Sequence, residues 1–134
     1  MRGIALGAAL IVAVAAAAGA EDKTAAGDPD AGKSVFGKCR ACHQVGETAK
    51  NLVGPKLNGL FGRKAGSIEG FAYSESNKNS GITLDEPTFR EYIKNPKAKI
   101  PNTKMVFAGI SDDRDIDDLI AFLKQYGPDG KKVQ

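Results

Sequence analysis

Apolar residues fall at helical spacing in three stretches of the chain, and strand-like alternation is scarce throughout. In "DPDAGKSVFGKC", Asp28 can cap a helix, Pro29 suits its first position, and Gly32 and Phe36 share one face. In "TLDEPTFREYIKNP", Thr83 and Glu86 have the spacing of a capping box, and Phe89, Tyr92 and Ile93 form an apolar stripe. Asn95-Pro96 is predicted to end that helix. In "SDDRDIDDLIAFLKQYGP", Ser111 is the predicted cap, and acidic residues fill the first turns, where the helix dipole favours them. Ile116, Leu119, Ile120 and Leu123 then stand at i, i+3, i+4 and i+7, and Gly127-Pro128 stops the run.

The connections "GETAKNLVGPKLNGLFGRKAGSIEG" and "NPKAKIPNTKMVFAG" are long and rich in Gly, Pro and Asn. Irregular segments of that length are uncommon in a compact domain unless they wrap something. The predicted architecture is a small all-α fold of three main helices, with long loops folded around a large bound group.

The N-terminus changes the size of that domain. After Met1 and Arg2 the chain is apolar from Gly3 to Ala20, ends in the small residues Ala18-Gly19-Ala20, and turns abruptly to "EDK". One charge, a short apolar region and a small-residue end make residues 1–20 a cleavable signal peptide, with residues 21–134 the exported domain. A retained membrane anchor is the alternative, although two thirds of the apolar stretch is Ala or Gly and no basic cluster follows. A domain this small often depends on a staple, a metal or a cofactor.

Charge is unevenly distributed. Residues 33–104 carry 13 basic and 6 acidic residues, a net of +7, whereas the rest of the domain carries 5 basic and 10 acidic, a net of −5. Such polarity suits docking on an acidic partner.

The candidate chemistry is concentrated in "KCRACHQV". Cys39, Cys42 and His43 are the only Cys and His residues of the chain. A structural zinc normally takes four protein ligands, which this chain lacks. A disulfide closing so short a loop would constrain the unfolded chain little. A thioredoxin-like dithiol belongs in a βαβ context, and the motif here follows a helix. C-x-x-C-H is the spacing of covalent haem attachment: two thiols three residues apart add to the two vinyl groups of one porphyrin, and His43 is delivered to the iron as an axial ligand. For the sixth position no second histidine exists, and Met105 is the only methionine after the leader. It lies in the Pro/Gly-punctuated loop "IPNTKMVFAG" rather than on a helix stripe. His/Met ligation raises the reduction potential and closes the iron to substrates, which points to electron transfer.

With these segments on view, the sequence resembles the class I c-type cytochromes, bacterial cytochrome c2 and mitochondrial cytochrome c among them. The resemblance runs over about residues 27–126 and rests on CRACH, "GPKLNGLFGRKAG", "GFAYSESNKNSGIT", "EYIKNPKAKIPNTKMVFAGI" and "DLIAFLK". It implies the cytochrome c fold, one covalent haem c and a role for further residues. Pro55 would accept a hydrogen bond from His43, and Tyr92 would bond the Met105 sulfur. Thr103 and Asn77 would hold a buried water, and Arg63 and Tyr73 would stabilise a haem propionate. Gly32 and Phe36 would pack on Leu119 and Phe122. Lys38, Lys97, Lys99 and Lys104 would surround the exposed haem edge.

Two departures stand out: Leu84 occupies the place of the family's usual tryptophan, and Asp112 and Asp113 stand where mitochondrial relatives carry lysines. The expected function is that of a monomeric periplasmic one-electron carrier. It would dock transiently on acidic partners, shuttling between a quinol-oxidising bc complex and an oxidase or reaction centre, and it would not bind nucleic acid. A membrane-anchored cytochrome, or a haem peroxidase or gas-binding protein with an open sixth position, are the alternatives.

Overall fold

The computed structural model describes residues 26–133; the leader and its cleavage site lie outside that range. Five helices follow one another: α1 (Pro29–Phe36), α2 (Glu75–Lys78), α3 (Glu86–Lys94), α4 (Pro96–Lys99) and α5 (Asp113–Leu123). Among the described residues the only β pairing is two isolated bridges, Lys64 with Thr83 and Tyr126 with Lys132. The fold is helical, as the periodicity predicts.

The first helix starts where its sequence says, with the Asp28 carboxylate accepting from the Asp30 and Ala31 amides and Pro29 in the first turn. The other two caps differ from expectation. Helix α3 is capped by Asp85, which accepts from the Thr88 amide, and not by Thr83. A cap at Thr83 would place Pro87 where an intrahelical N–H is needed, whereas a cap at Asp85 puts it harmlessly in the first turn. Leu84 is thereby freed to enter the core, and its backbone pairs with Gly62 and Arg63 instead. Helix α5 is capped by Asp112 rather than Ser111, its carboxylate taking both the Arg114 and the Asp115 amide. That helix also ends earlier than Gly127, at Leu123. Residues 125–133 then turn back as a small hairpin, with Gly127 N–H donating to Lys131 O (2.9 Å) and Val133 N–H to Gln125 O (2.8 Å).

The loops contain two short helices that the sequence reading leaves irregular. Asn95-Pro96 ends α3 and also begins α4, since the Asn95 side chain caps the Ala98 amide. Ser74 caps α2 in the same way, through the Asn77 amide.

The terminal helices α1 and α5 cross in close contact. A Cβ placed on Gly32 would lie 1.9 Å from the Asp118 carbonyl oxygen and 2.8 Å from Phe122 Cβ, so only glycine permits this approach. Phe36 packs on Phe122 with ring centroids 5.1 Å apart. Ile116, Leu119 and Leu123 are at most 1% exposed, which makes the α5 stripe the centre of the core. Asp118, a residue the sequence reading passes over, is buried there too. It accepts from the Asp28 amide at 2.7 Å and so ties the start of α1 to α5.

Candidate haem site

The turn after α1 brings the CRACH residues together: Cys42 N–H and His43 N–H both donate to the Cys39 carbonyl, at 3.0 and 2.9 Å. The two thiols are unbridged. Burial pushes the Cys39 thiol up to about 11, against the pull of Lys38, so it stays protonated at neutral pH. A dithiol oxidoreductase needs the opposite, a depressed thiolate pKa. Among the described residues no three His, Cys, Asp or Glu side chains cluster as a metal site would require.

His43 is buried. Its Nδ1 lies 2.7 Å from the Pro55 carbonyl oxygen, which can only accept, so Nδ1 carries the proton and Nε2 keeps the free lone pair. Burial holds the imidazole below its ordinary 6.5, outweighing the Pro55 bond, so the ring is neutral at pH 7. Gly54 lies flat against the ring; a Cβ there would come within 2.3 Å of Cε1. The next loop is fixed by Asn58, buried, whose amide both donates to the Gly46 carbonyl and accepts from the Gly46 N–H, each at 2.9 Å.

On the other side, Met105 belongs to a loop pinned at both ends. Ile100 is buried after α4, and Ile110 N–H donates to Ile93 O at 2.9 Å beyond it. Tyr92 Oη donates to Met105 Sδ at 3.0 Å, and the Thr103 hydroxyl accepts from the Met105 amide at 3.2 Å. Burial raises the Tyr92 phenol to about 12, which keeps it a donor.

Between these two sides lies a cavity of about 620 Å³. All ten residues singled out from the sequence line it: Cys39, Cys42, His43, Pro55, Arg63, Tyr73, Asn77, Tyr92, Thr103 and Met105. Leu60, Leu84, Phe89, Ile93, Leu119 and Leu123 supply much of the apolar wall. Arg63 is anchored through Nη1 to the Lys56 and Asn58 carbonyls (3.2 and 2.9 Å), and burial lowers its pKa. Tyr73 is held by a bond from the Ile68 amide to its hydroxyl, at 3.1 Å. The Asn77 side-chain oxygen is buried without a hydrogen-bond partner from the protein. A cavity of this size, lined by two thiols, a neutral imidazole, a thioether, a guanidinium and an amide, fits a haem.

The lysines divide. Lys38 and Lys104 border the cavity, while Lys97 and Lys99 stand on α4 outside its lining. Lys38 is paired with Asp115 at 3.2 Å and Lys99 with Glu91 at 2.6 Å. The exposed valines Val53 and Val106 also border the cavity.

Comparison with known proteins agrees with this geometry. The family model described as cytochrome c matches residues 29–127. Cytochrome c2 of Blastochloris viridis is 54% identical over 132 residues, covering 98% of this chain and 99% of that protein. Cytochrome c-554 of Methylosinus trichosporium is 58% identical over 123 residues, covering 92% and 93%. Among solved structures, cytochrome cH from Methylobacterium extorquens superposes with a TM-score of 0.70 at 47% identity, over 74% of this chain and 99% of that one.

Proposed function

The chain belongs to the cytochrome c family of electron-transfer proteins, which carry covalent haem c, and on that premise we propose a periplasmic one-electron carrier with His43 and Met105 as axial ligands. The observation that supports this most is that two separately braced ligand side chains line one cavity. His43 is oriented by Pro55, and Met105 by Tyr92 and Thr103.

Bound haem supplies a reversible one-electron iron couple. The chain's own residues set the conditions under which it works. Cys39 and Cys42 would hold the cofactor as thioethers, each S–H adding across one vinyl C=C, so that attachment would need no oxidant. The Nδ1–H bond to Pro55 fixes the tautomer and raises the basicity of the ligating nitrogen. Tyr92 draws density from the thioether sulfur, which favours the reduced state. With His43 and Met105 both holding the iron, neither oxygen nor a substrate would have a free site. Asn77 with Thr103 would hold a buried water, and Arg63 and Tyr73 would offer a cation and a hydroxyl to a propionate of the cofactor. Leu84 contributes packing there and no hydrogen bond.

Export follows from the apolar leader, and the match to the Blastochloris cytochrome c2 spans nearly the whole chain. No described helix is long and apolar enough to cross a membrane. The partners in this reading are an electron-donating bc complex and an accepting oxidase or reaction centre. They would meet the cavity mouth, where Lys38 and Lys104 flank the exposed Val53 and Val106.

The test is Met105→Ala in the haem-loaded protein. The weak sulfur-to-iron absorption at the red end of the ferric spectrum should vanish, the iron should become high-spin or take an added ligand, and the potential should fall. An unchanged spectrum would show that another residue binds the iron.

A further inference from the structure

A second concavity, of about 740 Å³, lies between α1, the loop after CRACH and the C-terminal hairpin. It meets the haem cavity at a single shared residue, His43. Its floor rests on a row of aromatic rings, Phe36 on Phe122 at 5.1 Å and Phe122 on Tyr126 at 5.5 Å, of which the two phenylalanines are buried. Four cations stand around it, Lys33, Arg40, Lys50 and Lys132, against one acid, Asp30.

Many cations elsewhere in the molecule are neutralised by neighbours. Lys38, Lys78, Arg90, Lys94, Lys99, Arg114 and Lys124 are all engaged in ion pairs. Among the described residues, none of the four groove cations has a carboxylate within 4.0 Å. Two are held over the floor instead: Arg40 lies 6.0 Å from the Phe36 ring centroid and Lys132 lies 6.0 Å from that of Tyr126. The hairpin that brings Lys132 here is itself locked in place, since Gly130 packs so closely on the Gly46 carbonyl that a Cβ would come within 2.1 Å. The positive wall is therefore a fixed feature of the fold.

We infer that this groove docks an extended acidic segment of a partner protein, one that presents a run of carboxylates. The four cations come from four separate pieces of chain around an open concavity, so a compact anion such as phosphate would reach only one or two of them. A chain of carboxylates can meet them in turn. Because the groove lies apart from Lys104, Val53 and Val106, a partner held here leaves the haem-cavity mouth free. A tether of this kind raises the effective concentration of the partner at the mouth without adding any contact there.

The test uses haem-loaded protein and a fluorescein-labelled hexaglutamate peptide, followed by anisotropy at low salt. Lys50→Glu with Lys132→Glu should weaken binding roughly tenfold, with the haem spectrum unchanged because both side chains are exposed. Lys38→Glu with Lys104→Glu, at the cavity mouth, should change it by less than about twofold. Lys50→Gln with Lys132→Gln should give an intermediate loss. Equal weakening by the groove and mouth pairs would mean diffuse attraction and would overturn the inference. So would tripolyphosphate binding that depends on Lys50 and Lys132 while the peptide fails to bind. The haem-ligand reading is untouched by either result, since it is read from the spectrum.

Discussion

The α1–α5 crossing and the loop half between residues 44 and 110 are built on different terms. At the crossing, protein packs on protein: Gly32 against the Asp118 carbonyl, Phe36 against Phe122, and an α5 stripe with almost no exposure. The loop half surrounds about 620 Å³, and the Asn77 side-chain oxygen in its wall has no protein partner. Its backbone is cross-braced at a few points, such as Ala65 N–H to Ile82 O at 2.8 Å and Ile110 N–H to Ile93 O at 2.9 Å. One half is complete as polypeptide. The other is a shell whose inner surface is finished by the cofactor.

The strongest way to break this contrast is to remove the haem. At roughly 24 cal/mol per Å³ of unfilled cavity, about 620 Å³ would cost up to ~15 kcal/mol. This is an upper figure because the mouth opens to water, yet it still reaches the whole stability of an ordinary domain. The double variant Cys39→Ala, Cys42→Ala, freed of haem, should therefore lose amide-exchange protection throughout residues 44–110. Any residual protection should concentrate in α1 and α5. Full protection of the loops in the haem-free chain would show that they are stable by themselves.

A smaller effect comes from the other side of the contrast. Gly32→Ala puts a methyl group into a backbone carbonyl that cannot rotate away, so the two helices must part. We expect a loss of ~3 kcal/mol and a drop in Tm of roughly 10–20 °C. The haem absorption below the transition should be unaltered. An unchanged Tm would mean that the crossing adapts easily.

The smallest effect is acid sensitivity, and it arises in both halves. Hydrogen bonds from Thr88 hold the Asp85 carboxyl below its ordinary 3.8, and the Lys94 ammonium does the same for Asp113. Both folded pKa values lie below the unfolded one. The stability they contribute is thus complete above pH 3.8 and is lost as pH falls through the lower folded values. Asp85→Asn keeps a good cap without a titrating group. Its urea midpoint should match the parent at neutral pH and fall less steeply below pH 3.8; an equally steep fall would assign the acid loss elsewhere.

How far these features are visible in the sequence depends on the range of the interaction that decides them. Asp28-Pro29 and the α5 stripe are local, and both read correctly. The ten cavity residues were found because CRACH names its chemistry directly and the family resemblance carries the rest. The α3 cap differs because Thr83 and Glu86 match a local pattern that Pro87 overrides, its missing N–H being tolerated only when the helix starts at Asp85. Asp118 and Asn58 gave no signal, since their partners, Asp28 and Gly46, lie 90 and 12 residues away. The groove was invisible for the same reason: its cations are scattered from Lys33 to Lys132 and meet only in the fold.

The capping role of Asp112 has an evolutionary consequence. Its carboxylate is engaged by two amides at the start of α5, so its negative charge cannot be traded for a positive one without fraying that helix. A lineage moving toward a more basic docking face would find Asp112→Lys a poor first step. Asp113 and Asp115 cap nothing, and their replacement releases Lys94 and Lys38 from their ion pairs. The accessible mutational route to a new partner therefore runs through those two positions, with Asp112 retained as the fixed point.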